Sequence, residues 1–423
     1  MSTELPLGGS RPVPKGWNLY SVDEIKAKEK HACVAGPFGS SISSKYFTED
    51  GVPIIRGSNL KDDLTRFVSQ DFAFVSEQQA KNYPAQHVKA GDLVFTCWGT
   101  IGQVGVIPKD GPYPEYIISN KQLKLRVNPD LADNLFVYYY LASREGVEHI
   151  RSRAIGSAVP GINLGILKSL KLALPPLPTQ REIVDILSKY DRLIDNNTRR
   201  IALLEESIHR LYKEWFVYLR FPEWEKVAIV EGVPEGWSKQ TLDDISLEIR
   251  QGIHPSQTEP NTPYVGLEHI PRQSIALTDW GFSCDVDSNK FKFAYRDILF
   301  GKIRPYFHKV VIAPVTGICS SDTIVIRPQT EEFLGLLLSL TSSVHFVDFA
   351  SKTSKEGSKM PRADWKFMKQ YPVLVPPQPM LNDFNNFVIN AVSQIENLIF
   401  INQKLREARD LLLPRLMNGS IAV

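Results

Sequence analysis

The sequence predicts α/β (α+β) globular domains, duplicated and separated by two long antiparallel coiled-coil helices, with a pseudo-twofold relation between the halves. Three observations predict it. VPKGWNLYSVDEI (13–25) returns as VPEGWSKQTLDDI (233–245), and GSAVPGINLGILKSLKLALPPLP (156–178) matches GSKMPRADWKFMKQYPVLVPPQP (357–379) without a gap. Each copy is followed by a proline pair and a long amphipathic run, at 174–195 and 375–397. In each run the apolar residues alternate spacings of four and three, the heptad rule of a coiled coil. A repeat this long is a duplicated globule plus helix, not a solenoid.

The division that follows is a tail (1–16), a globule (17–174), a helix (175–220), a linker (221–235), a second globule (236–375) and a second helix (376–420). Within the globules, GDLVFTCWGTIGQVGVIP (91–108) resembles RDILFGKIRPYFHKVVIAP (296–314), and SNKQLKLRV (119–127) resembles SSDTIVIRP (320–328). GDLVFTC and RDILFGK have the length and β-branched or aromatic content of short buried strands. NLFVYYYLAS (134–143) and EFLGLLLSLTS (332–342) read as short helices packed on them. The Gly, Pro, Ser and Asn residues between strands predict long loops, where binding groups usually sit.

The first seam is Ile183, Leu187, Tyr190, Ile194, Asn197, Ile201, Leu204, Ile208, Leu211 and Trp215. The second is Phe384, Val388, Ala391, Ile395, Leu398, Asn402, Leu405, Arg409, Leu412 and Leu416. Prolines 178 and 379 stand where a helix start tolerates them. An antiparallel pairing that sets Ile183 near Leu416 sets Asn197 opposite Asn402, so these two are expected to fix the register. The plainer alternative is that each asparagine bonds water at the rim. Arg409 is an awkward seam residue.

Composition bounds the rest. The 423 residues are 43% hydrophobic and 23% charged, with a net charge of +2, as in ordinary globular proteins. No apolar run is long enough to span a bilayer, and the N-terminus lacks a signal-peptide core, so a cytoplasmic location is expected. The four cysteines are scattered without a CxxC, which argues against a zinc or disulfide framework. No P-loop, dinucleotide fingerprint or nuclease carboxylate cluster is evident, and GTIGQVG has the wrong glycine spacing. No catalytic residue and no metal ligand is assigned.

In this order, twice, the motifs resemble the specificity subunit of Type I DNA restriction-modification systems. The residues carrying the resemblance are PPLPTQREI and PPQPMLNDF, Asp191 and Ile194 in YDRLID, the GW starts at Trp17 and Trp237, GDLVFTCWGTIG and LFGKIRPYFHKV, and the GS segments at 156–163 and 357–362. The resemblance covers nearly the whole chain. It implies two target-recognition domains that each read half of a split double-stranded DNA sequence, with the helices as a ruler. It further implies docking of two adenine-modifying methyltransferase subunits and of restriction subunits that translocate and cleave DNA. S-adenosylmethionine, ATP and Mg would then belong to those partners, with no cofactor in this chain. The Asn-Pro-Pro-aromatic motif of an adenine methyltransferase is missing here.

Local charge supports a DNA contact. Residues 349–369 carry Lys352, Lys355, Lys359, Arg362, Lys366 and Lys369; residues 144–171 carry Arg144, Arg151, Arg153, Lys168 and Lys171. Each segment holds a Gly-Ser loop able to approach a phosphate, including Ser157 and Asn163. One such run is usually a solvated face; two at equivalent places point to phosphate. In GKIRPYFHKV (301–310), strand alternation would put Lys302, Arg304, Tyr306 and His308 on one polar face. Arg304 would then bond guanine or brace the hairpin. The first globule offers Gln103 there, and Arg56, Asn59 and Lys61 as groove contacts. Two other readings stay open. A coiled-coil scaffold would show no sequence preference and little loss on neutralising Lys352, Lys355, Arg151 and Arg153. A self-contained methyltransferase or nuclease would label or cut DNA alone.

Overall fold

A computed structural model describes residues 13–39, 41–156, 160–352 and 360–423. The chain forms two compact units: one runs to Asp191 and takes in Arg406–Val423, the other is Arg192–Leu405.

In the first unit, strand Asn18–Ser21 pairs antiparallel with Lys171–Leu174, closing the start of the globule onto its end. Ser21 and Glu24 form a capping box that launches the one-turn helix Val22–Ile25. One sheet runs in the order Cys33–Ala35, Gln122–Leu125, Leu93–Thr96, Val104–Val106. A second runs Phe47–Thr48, Ala73–Val75, Val52–Ile55, Tyr116–Ile118, His87–Val88. Its central pair, Val52–Ile55 with Tyr116–Ile118, is parallel. Helix Asn134–Ala142 is apolar all round, so it is buried on nearly every side, from Phe136 to Ala142.

The second unit repeats this plan. Ser238–Thr241 pairs with Pro372–Val375. The first sheet returns as Ser246–Ile249, Thr323–Pro328, Ile298–Gly301, Val310–Ile312. The second returns around the parallel pair Pro263–Val265 and Gly317–Ser320. Even an ion pair on a buried aspartate is duplicated. Arg126 grips Asp92 through Nε and Nη2 at 2.7 and 2.6 Å, and Arg327 grips Asp297 at 2.7 and 2.8 Å. Such bidentate forks are strong and geometrically exacting. The copies differ at the sheet edges. The first adds Phe47–Thr48 outside Ala73–Val75; the second adds Gly252–Ile253 outside Lys290–Phe293.

The two long helices are Leu177–Tyr212, continued by a π-turn over Lys213–Val217, and Gln378–Met417. Each contributes to both units. In the first unit Ile183, Val184 and Leu187 share a core with Leu413, Leu416 and Met417. In the second, Ile201, Ile208 and Tyr212 share one with Phe384, Val388, Ala391, Ile395 and Leu398. The numbering rises on one helix as it falls on the other, so the pairing is antiparallel within each unit.

Within the second unit Asn197 Nδ2 donates to Asn402 Oδ1 at 2.9 Å, and both amides are buried. The two seam asparagines therefore face each other. No single helix among the described residues is long and apolar enough to cross a membrane.

Replacing Asn197 with Leu alone strands the Asn402 amide and is expected to destabilise the second unit by about 1–3 kcal/mol. Replacing both asparagines with Leu removes that penalty. Thermal unfolding of the two single variants and the double variant checks the cycle; additive losses would rule out the pairing.

Candidate nucleic-acid interface

In the first unit a hairpin loop joins Leu93–Thr96 to Val104–Val106, turning through Gly99 and Gly102, whose φ values are +85° and +99°. Glycine alone takes such angles without strain. The Cys97 carbonyl accepts from Ile162 N at 2.9 Å, tying the hairpin to the segment after the short helix Arg144–Ser152. The Trp98 ring lies against Gly161, where any Cβ would meet it at 2.3 Å. Arg151 Nε donates to the Ile101 carbonyl at 3.0 Å, and its Nη2 lies 3.7 Å from Asp62 Oδ2. Gly99, Thr100, Ile101, Arg151, Ala154 and Pro160 line an open cleft of about 380 Å³.

The second unit builds the same junction. Lys302 O accepts from Ala363 N at 2.9 Å and Arg304 N donates to Pro361 O at 2.7 Å, tying its hairpin to its basic segment. Arg362 pairs with Asp322 at 3.3 Å, and Lys352 ends the helix Val344–Lys352, exposed.

Several expected contacts are corrected by this geometry. Lys302, Arg304, Tyr306 and His308 do not alternate along a strand. The strand stops at Gly301, and Pro305–Phe307 forms a 3-10 turn flanked by Arg304 and His308 at φ of 50° and 53°. Two non-glycine residues in the left-handed region mark a tightly constrained loop. Tyr306 is 55% exposed at its tip. His308 instead turns inward, its Nε2 2.8 Å from the Ser342 carbonyl. Arg304 packs over the Phe307 ring at 5.8 Å, and Arg272 lies over the same ring at 4.0 Å.

Asn59 is fully buried: its Oδ1 accepts from Arg56 N at 2.9 Å, and its Nδ2 donates to Val68 O and Gln70 O at 3.0 and 2.9 Å. Its amide frames the loop and does not present to a groove. Asn163 caps helix Leu164–Ser169 by accepting from Ile166 N at 2.9 Å. Arg56 donates to Asp71 O at 2.9 Å, and Gln103 Oε1 accepts from Thr96 Oγ1 at 3.0 Å. Lys61 is exposed beside them, and Arg153 is half-buried at the end of Arg144–Ser152. Ser157, Lys355 and Lys359 lie outside the described residues.

Beneath the first unit's loop lies a charged centre that pattern reasoning missed. Asp191 accepts from Arg409 Nη1 at 2.9 Å, Arg66 Nε at 3.0 Å and Tyr139 OH at 2.5 Å. Arg66 Nη2 also reaches Tyr139 OH at 2.6 Å, and Arg409 Nη2 reaches Asp63 O at 3.2 Å. Burial alone would depress Arg409, but Asp191 and Asp410 outweigh it and hold the guanidinium above its ordinary range. Burial likewise opposes the charge on Arg66; Tyr139 and Asp191 restore it. The sequence signals were the ill-fitting Arg409 in an apolar seam and Asp191 in YDRLID, neither of which pointed to the other. In the second unit Glu205 is pushed up by burial, while Ser274, Ala276 and Ile275 donate to it and favour its charged form.

Comparison with known proteins places this architecture. Residues 14–206 match the family described as the Type I restriction modification DNA specificity domain. The chain is 23% identical to the Type I restriction enzyme MjaIX specificity subunit of Methanocaldococcus jannaschii, across 97% of this chain and 95% of that protein. It is 23% identical to the HindI specificity subunit of Haemophilus influenzae, across 96% and 99%. The crystal structure of a Type I S subunit from M. genitalium shares the fold, with a TM-score of 0.55 at 16% identity over 95% of this chain and 96% of that one. The duplicated α/β globule with its long helices is thus the fold of an S subunit. The chain is similar over nearly its whole length to Type I specificity subunits, and residues 14–206 match the DNA specificity domain model.

Arg409→Met alone leaves Asp191 short of a buried cation and is expected to cost about 3–5 kcal/mol. Adding Asp191→Leu recovers part of that loss. Urea unfolding of both variants checks it; equal stability of Arg409→Met and the native chain would refute the buried pair.

Proposed function

We propose that this chain is the non-catalytic, sequence-reading subunit of a Type I restriction-modification complex. Each unit reads one half of a bipartite double-stranded DNA target, and the long helices set the unread spacing and dock two adenine-modifying methyltransferase subunits. Restriction subunits join the same assembly. S-adenosylmethionine, ATP and Mg serve those partners. The observation that carries the reading is the duplicated junction of hairpin and basic segment, the same frame in both units with different tips. One tip is Trp98, Gly99 and Thr100; the other is Arg304, Tyr306 and Phe307. Equivalent frames with unlike side chains are what two unlike half-sites require.

Methylome sequencing of a host expressing this chain with its methyltransferase partner is expected to show one split adenine-methylated motif. A continuous motif, or none, would sink the bipartite reading. Arg153→Gln and Lys352→Gln, one in each unit, are each expected to lower the slope of log affinity against log salt by about 0.9. Titrations at several salt concentrations read this out, and unchanged slopes would remove both residues from the phosphate contact.

A further inference from the structure

The loop after the first strand of each parallel pair has the same construction in both units. In the first unit Asn59 Oδ1 accepts from Arg56 N at 2.9 Å; in the second His269 Nδ1 accepts from Gly266 N at 2.9 Å. Leu60 and Ile270 then plug each loop into the globule, both buried. Each loop lies beside the recognition hairpin of its own unit. A Cβ on Gly57 would stand 3.7 Å from Gln103 Oε1, and Gln273 N donates to His308 O at 2.8 Å. Each loop also rejoins its sheet at equivalent points, where Val106 N donates to Arg66 O at 2.9 Å and Ile312 N to Ile275 O at 3.0 Å.

At those points each loop meets a carboxylate of the first long helix. Arg66 binds Asp191 through its side chain. Ser274 Oγ, Ile275 N and Ala276 N converge on Glu205 Oε1 at 2.6, 2.8 and 3.0 Å. The second long helix adds one bond to a loop carbonyl in each unit, Arg409 to Asp63 and Gln403 to Thr278, at 3.2 and 3.4 Å. Among the described residues the partners that converge on Glu205 are a hydroxyl and two backbone N–H groups, with no cation hydrogen-bonded to it. A carboxylate withdrawn from water, fully at Asp191 and partly at Glu205, is costly to spend on fixing a loop unless the loop's position matters.

We infer that Asp191 and Glu205 are positioning residues, each aiming the recognition loop of one unit and so setting the base preference of one half-site. The inference rests on the proposed bipartite reading. Base readout tolerates little misplacement, because a bidentate contact holds only within a fraction of an ångström. The side chains aimed would be Arg56 and Lys61 on one loop and Arg272 on the other. Arg66 and Glu205 themselves need touch no DNA.

The test uses the full chain assembled with its methyltransferase partner, with motifs read by methylome sequencing and selection from random DNA. Arg66→Ala is expected to relax base discrimination by roughly tenfold at one half-site, leaving the other half and the spacer unchanged. Glu205→Ala should do the reverse, and Glu205→Gln, which keeps an acceptor oxygen, should restore the native motif. Thermal unfolding separates a lost tether from a lost fold. Should Arg66→Ala fail to assemble, the two Glu205 variants decide alone. A split native motif that these variants leave untouched, or alter in both halves at once, overturns the tethers only. A native chain giving no split motif overturns the functional reading itself.

Discussion

The buried charge of Asp191 is the constraint around which the first unit is arranged. A carboxylate removed from water has to be matched by cations and donors held in fixed places. Here one guanidinium comes from the opposing long helix, one from the loop at 56–66, and a hydroxyl from the short helix Asn134–Ala142. Four segments distant in sequence are therefore brought to one point. Arg409 gives Asp191 one bond through Nη1 and the Asp63 carbonyl another through Nη2, so it holds the second helix to both the first helix and the loop. With Arg409 3% exposed, the pair is shielded from the screening that makes surface ion pairs weak.

The seam divides its labour between apolar and polar residues. Leucines and isoleucines supply adhesion, yet an apolar stripe tolerates a heptad slip with little loss. Asn197 and Asn402 do not tolerate it. A slip would bury two amides without partners, at about 1–3 kcal/mol each. Asp191 and Arg409 impose the same condition in the other unit with higher stakes, since separating them exposes neither to water. Polar seam positions thus act as register marks, and each unit carries its own.

Much of this was legible in the sequence, for identifiable reasons. The duplication is visible because core strands such as GDLVFTC and RDILFGK keep their apolar character, and the helices because heptad spacing survives substitution. Even the asparagine pairing follows from counting residues along two antiparallel runs. The loops were less legible. The reading of Lys302, Arg304, Tyr306 and His308 as a strand face failed because Pro305 and two left-handed residues curl the chain into a turn. Asn59 looked like a base contact because asparagine suits adenine, and Asn163 a DNA contact because it ends a Gly-Ser loop; asparagine suits backbone capping equally well. Arg66, Tyr139 and Glu205 carried no local signal, since their meaning lies in partners far away in the chain.

The two copies conserve what is expensive to change and differ where change is cheap. The Asp92–Arg126 and Asp297–Arg327 forks, the parallel strand pairs and the ties between hairpin and basic segment recur at equivalent positions. Disturbing such structural features costs on the order of 1–3 kcal/mol, whereas exposed positions like Tyr306 or Lys61 usually move stability by no more than about 0.5 kcal/mol. Tip residues are therefore free to vary without refolding the frame. The points where each loop meets the long helix lie inside, several residues from the tip. A change in what the loop presents then leaves its anchoring untouched, and a change in the anchoring alters aim without altering chemistry. In the proposed reading, recognition and spacing can be tuned separately on one folded frame because different layers of it carry them.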